Sequence, residues 1–278
     1  MLKQIQRLLT MKHKKLSLLR QTLLICTLTS VFSGTLLTPI FTPQVQAESL
    51  LDRFGALFNN KRPGGAASGR SRAGATRSGG NDSKCSQQYS PPLMALVPES
   101  NEGTTTKEYP DLLLYIPFGS SSQSSTATFR LLDEQKKSVL KKPIKLTLPE
   151  KKGIVRFSLP ATEKPLLVGQ RYRWYFNVTC VSEKGTQSRV SVDGWIKRVE
   201  ADSKLVAQLK QVPAKDQYVP YAENKIWHET VTQLAEQRSV HKQDWNQLLS
   251  LFGLEEFADA PIAELNPVKN VSLIPTPF

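Results

Sequence analysis

Between Tyr89 and Glu200 the apolar residues come in short runs, each stopped by Pro, Gly or a polar cluster. PPLMALVP, YPDLLLYIPF, ATFRLLDEQKKSVLKKPIKLTL, GIVRFSLP, VGQRYRWYFNVTC and SRVSVDGWIKRVE follow one another with no helical period between them. The third reads as a hairpin that turns near Asp133 to Lys137. Residues 85–200 are therefore expected to form a mainly β domain. Its strand density, about seven in all, suits an antiparallel β-sandwich of immunoglobulin or fibronectin type. A small barrel is the other arrangement that fits.

Three of these runs carry more detail. In RYRWYFNVTC, strand parity puts Tyr172, Trp174, Phe176, Val178 and Cys180 on one face and Arg171, Arg173, Tyr175, Asn177 and Thr179 on the other. The first set reads as core, which leaves Arg171, Arg173 and Tyr175 as a candidate binding patch. The approach from Leu166 or Leu167 through Gly169 to Tyr172 resembles the tyrosine corner of sandwich domains. DLLLYIP is apolar on both faces, Leu112, Leu114 and Ile116 against Leu113 and Tyr115, so something must cover its outer side. In SVDGWIK the alternation breaks at Asp193-Gly194. A β-bulge there is expected to re-aim Trp195 into the core beside Tyr172, Trp174 and Phe176.

After Ala201 the period becomes helical. DSKLVAQLKQV, ENKIWHETVTQLAEQR and HKQDWNQLLSLFGL each carry an apolar stripe, and the last stops at Gly253. Residues 201–262 thus form a helical appendage too small for a large core of its own, expected to pack on the outer face of Leu112–Ile116. Residues 263–278 are a Pro-containing, extended tail. Upstream, ESLLDRFGALF (48–58) has helical spacing over three short turns. Residues 59–84 hold six Gly, four Arg and no large apolar residue, the composition of a flexible spacer.

The first 47 residues read as a signal peptide, with a basic start free of acids, an apolar stretch Gln21–Leu37, and Val45-Gln46-Ala47 as the cleavage site. Its removal takes away six of 37 basic residues and none of 24 acids, leaving 31 against 24 and a net charge of +7. That balance favours anionic surfaces without singling out nucleic acid, a poor partner for an exported protein. No stable membrane anchor remains after cleavage, because the apolar stretch is short for a span. Cys85 and Cys180 are then the two remaining cysteines, and an oxidising periplasm or cell surface predicts a disulfide between them.

A search for chemistry returns negatives. His228 and His241 read as isolated surface residues, there is no G-x-S-x-G elbow, and no metal-ligand spacing appears. Glu99, Glu102, Glu108 and Asp111 cluster in a Thr-rich segment read as an exposed turn. No catalytic residue, cofactor or metal is expected.

Taken together, MALVP, GTTTKEYPDLLLYIP, GIVRFSLP, the YRWYF strand with its Cys180, DGWIKRV, YAENKIWHETVTQLAEQR and DWNQLLSLFGLEEFADAPI resemble an exported cyanobacterial family known as domain of unknown function 928. The resemblance runs from Cys85 to Ile262 and implies an envelope protein, with no activity to carry over. Three functions compete. The first is a non-catalytic module that binds an envelope protein or glycan. The second is an electrostatic binder of anionic polysaccharide, and the third a carboxylate-dependent hydrolase.

Overall fold

The structure, a computed structural model, describes residues 71–72, 85, 89–120 and 125–268. All belong to one compact unit, Ala47–Phe278. The expected signal peptide, the 48–58 segment, nearly all of the 59–84 spacer and the last ten residues of the tail lie outside the described residues.

Among the described residues nine strands build two sheets. One has the order β1 (Met94–Ala95), β3 (Asp111–Ile116), β6 (Gly153–Ser158) and β9 (Ala263–Glu264). The other has the order β2 (Glu102–Thr105), β8 (Gln187–Arg198), β7 (Arg171–Val181), β4 (Ser125–Leu132) and β5 (Ile144–Leu146). Among the described residues four α-helices lie between β8 and β9: α1 (Ser203–Gln211), α2 (Tyr218–Glu223), α3 (Trp227–Glu236) and α4 (Lys242–Ser250).

Both sheets are mixed, which corrects the expectation of about seven purely antiparallel strands. β2 runs parallel to β8, and β9 parallel to β6. These short edge strands carry too few alternating residues to announce themselves. Glu102–Thr105 lies in the segment read as a polar turn, yet Asn101 seats it on β8. The Asn101 carbonyl accepts from Trp195 N–H at 2.9 Å, and its side-chain amide donates to the Asp193 carbonyl at 3.2 Å. Residues 263–268, read as tail, tie the two sheets together. Leu265 N–H donates to Arg156 O of β6 at 2.7 Å, and Val268 N–H donates to Lys145 O of β5 at 2.9 Å. Ser71 and Arg72, inside the expected spacer, pair onto β1.

The double-sided strand β3 separates two cores. Leu112, Leu114 and Ile116 face the second sheet and pack with Phe129, Trp174, Phe176 and Val192. The rings of Phe129 and Phe157 meet 4.3 Å apart across this layer. Leu113 and Tyr115 face the other way and join Trp227, Val231, Leu234, Trp245 and Leu248 of the helices. The order of layers is helices, first sheet, second sheet. Cys85 and Cys180 are bonded, closing a loop with a sequence separation of 95. In the chain-entropy account such a closure is worth about 4–5 kcal/mol.

Two local expectations meet the structure differently. Tyr172 is buried, and its hydroxyl accepts from Leu167 N–H at 2.9 Å, the tie that characterises a tyrosine corner. Gly194, by contrast, sits in no bulge: the β7–β8 register runs unbroken from Arg171↔Lys197 to Val181↔Gln187. The glycine is there for close packing, since a Cβ at 194 would stand 2.7 Å from the Trp174 ring. Val190, Val192 and Ile196 therefore face inward with Gly194, and Trp195 keeps the outward parity.

Because β3 is covered on both sides, Leu113→Ala and Leu114→Ala are each expected to lower stability by about 2–5 kcal/mol in urea unfolding. A loss under about 1 kcal/mol at Leu113 would mean that the helices do not bury this face in solution.

Candidate functional site

Strand β7 alternates without a break along its whole length. Tyr172, Trp174, Phe176, Val178 and Cys180 are buried, and the candidate patch residues Arg171, Arg173 and Tyr175 are half-buried on the outer face. Trp195, expected in the core, is half-buried and lies on that same outer face. The unbroken register places it directly opposite Arg173. The Arg171 guanidinium lies 4.7 Å from its ring centroid and that of Arg173 5.7 Å, while Arg173 also lies 5.1 Å from Tyr175.

Both arginines are already paired. Arg171 donates through Nε and Nη2 to Glu102 Oε2 at 3.0 and 2.6 Å, and Arg173 likewise to Asp193 Oδ2 at 3.0 and 2.7 Å. The Glu102 side chain is only 7% exposed and that of Asp193 12%. These carboxylates depend on their guanidinium partners, and the aromatic faces are occupied by cations. The patch is a neutralised ladder of charges and rings rather than an open grip for an anion.

The helical cover is joined to the second sheet by a buried carboxylate that sequence reading missed. Glu229, in the first turn of α3, accepts four hydrogen bonds on Oε1: Thr105 Oγ1 at 2.8 Å, Thr106 N–H at 2.8 Å, Thr106 Oγ1 at 2.9 Å and Lys107 N–H at 3.0 Å. One oxygen thus satisfies backbone and hydroxyl donors where β2 ends, which accounts for the GTTTK run opposite WHET. His228, beside it, is buried too and not a surface residue. Its Nδ1 lies 3.1 Å from the Asp111 carbonyl, and its Nε2 faces Gly103, where a Cβ would collide with the ring. Burial pushes its pKa below the ordinary value against the pull of Glu229 and Asp111. His241 is likewise no isolated surface residue. Its Nε2 lies 3.0 Å from Asp216 Oδ1, and its ring 4.9 Å from that of Tyr218.

A cleft of 910 Å³ opens between residues 117–119 and 149–155 on one side and residues 256–263 on the other. Phe118, Ile154, Phe257 and Pro261 supply apolar walls, with Lys151 and Lys152 at the rim. Lys152 Nζ lies 3.9 Å from Glu256 Oε1 and 5.2 Å from the Phe257 ring centroid. Lys145 in β5, and Lys142, Lys141, Lys137 and Lys136 in the loop before it, are exposed. Among the described residues no carboxylate pairs with Lys136, Lys137, Lys142, Lys145 or Lys151.

Residues 72–262 match the family model described as Domain of Unknown Function (DUF928). The chain belongs to that family. No curated protein matches it. The match takes in the pairing of Arg72 with β1 and the helical cover, and stops just before β9. Among the described residues of this DUF928 chain, no three His, Cys, Asp or Glu side chains converge as a metal would require, and no helix is long and apolar enough to cross a membrane. Glu99 and Glu108 are exposed, while Glu102 serves Arg171 and the Asp111 carboxylate engages Lys107 and Ser158. The acidic cluster is thereby divided among structural pairs.

Two outcomes are expected of this arrangement. Arg171→Ala and Arg173→Ala should each destabilise the DUF928 protein by about 1–3 kcal/mol, because a buried carboxylate loses its partner. A change within about 0.5 kcal/mol in urea unfolding would show the pairing to be idle. Glu229→Ala should cost about 3–5 kcal/mol by stranding several donors at once. Hydrogen exchange should then rise first at Thr106 and Lys107; a variant whose amides there stay as protected as before would refute the clamp.

Proposed function

We propose that this protein is a non-catalytic binding module of the cell envelope that holds an extended anionic glycan through its exposed lysines. The observation that carries this reading is the contrast between two sets of cations. Arg171 and Arg173 are each held by a largely buried carboxylate, whereas five lysines, Lys136, Lys137, Lys142, Lys145 and Lys151, are exposed and have no carboxylate partner among the described residues. A set of unneutralised ammonium groups raises the local concentration of a polyanion and binds it without a specific pocket. The immunoglobulin-like relationship anticipated from strand density fits two sheets packed face to face, although fold alone does not choose a ligand. Export belongs to the same proposal. It rests on the basic, then apolar, N-terminal 47 residues, and a disulfide is compatible with an oxidising compartment.

A second reading is favoured by the cleft. Its apolar walls of Phe118, Ile154 and Phe257 suit a hydrophobic side chain of a protein partner better than a sugar acid.

Polygalacturonate serves as the probe, with neutral dextran as control. Binding to the acidic polymer should weaken about tenfold or more as salt rises from about 0.05 to 0.3 M. The triple variant Lys137→Glu, Lys142→Glu, Lys145→Glu should abolish it while leaving urea unfolding nearly unchanged. Salt-independent binding, or equal binding to dextran, would overturn the electrostatic reading.

A further inference from the structure

We propose that His228 is an acid-sensitive latch: on taking up one proton, the imidazole releases α3, and with it the helical cover, from β2 and β3. The geometry of the imidazole carries the inference. A carbonyl can only accept, so the contact with Asp111 O at 3.1 Å places the ring proton on Nδ1. Nε2 is then a bare acceptor, buried without a hydrogen-bond partner and held in the slot that Gly103 leaves open. A proton added there would bring a charge into a fully buried slot.

Most of the surrounding groups are already engaged, the exception being Glu229 Oε2, which is buried without a hydrogen-bond partner. On β3 the Asp111 carboxylate receives Lys107 Nζ at 3.3 Å and Ser158 Oγ at 2.5 Å. On α3 itself, Glu229 Oε1 is saturated by its four donors. On β2 the flanking Glu102 is turned to Arg171, and Thr104 donates its hydroxyl to the Lys225 carbonyl just before α3. On α2 the nearby titratable group is Tyr221, whose pKa is raised first by burial and then by Glu229. Asp111 and Glu229 are negative and soften the penalty, but burial outweighs them and the net direction for His228 is downward.

The linkage has a definite sign. An opened cover frees His228 to titrate near the ordinary value of 6.5, while the docked one resists the proton. The opened form therefore binds more protons, docking is strongest above pH 6.5, and it weakens as the pH falls. The consequence reaches the cleft, because Phe257 and Pro261, which form its far wall, follow α4 in the same cover.

Hydrogen exchange of the purified protein tests the latch without any ligand, so its outcome is separate from that of polyanion binding. Corrected for intrinsic rates, the opening of α3 amides should rise by up to about tenfold per pH unit below pH 6.5, the limit for one linked proton. Amides of β7 and β8 should keep their protection. His228→Asn, which keeps a donor for Asp111 O but cannot titrate, should flatten the response. A pH-independent α3 in the native protein, or an unchanged rise in His228→Asn, would overturn the proposal. Should that variant fail to fold, NMR titration of the native imidazole decides. Opening that tracks His228 protonation supports the latch, and a protonated His228 beneath fully protected α3 amides sinks it.

Discussion

β3 has no polar face. Leu112, Leu114 and Ile116 require cover on one side, Leu113 and Tyr115 on the other, and neither set tolerates water. Each such side chain contributes about 1.5–3 kcal/mol when buried, so leaving either face open would forfeit much of a marginal net stability. The remaining architecture answers this constraint. The second sheet supplies one cover and the helices after residue 201 the other. The helices need β3 as much as β3 needs them, since their apolar stripes have little else to bury against.

Joining a helical layer to two sheets creates junctions where backbone groups leave their ladders. The polar residues of α3 serve that purpose. Thr230 and Thr232 donate to carbonyls of their own helix, Ile226 O and His228 O, at 2.6 and 2.7 Å, while Glu229 collects the donors released at the end of β2. Burying a carboxylate is unfavourable unless several donors surround it, and here four do. The same rule explains the outer ladder of the second sheet, where Glu102 and Asp193 are tolerated because Arg171 and Arg173 lie against them. Arginines that looked free for binding are engaged by carboxylates, whereas the exposed lysines Lys136, Lys137, Lys142, Lys145 and Lys151 are not, among the described residues.

The cleft borders the same helical cover. One wall belongs to the first sheet and its flanking loops, the other to the segment after α4. Its width depends on how the cover sits, and the cover sits on β2 and β3 through α3. A buried imidazole, His228, lies beside the clamp at that contact.

What could be read directly was whatever is encoded by near neighbours. The two faces of β7 followed from alternation, the double-sided nature of β3 from five consecutive apolar residues, and the 85–180 bridge from the expectation that Cys26 leaves with a signal peptide. What could not be read depends on partners far away in the chain. Glu102 meets Arg171 across 69 residues, and Glu229 meets Thr105 across 124. In the sequence Glu102 looked like part of an exposed turn, and nothing marked Glu229 at all. Trp195 was misplaced for a related reason. Its glycine neighbour suggested a bulge, but Gly194 is small because Trp174, on the next strand, fills the space a side chain would take. Local pattern determined which residues form strands and which face is apolar. Only the tertiary structure decided which charges are spent on one another, because pairing a buried charge requires a partner that sequence proximity does not reveal.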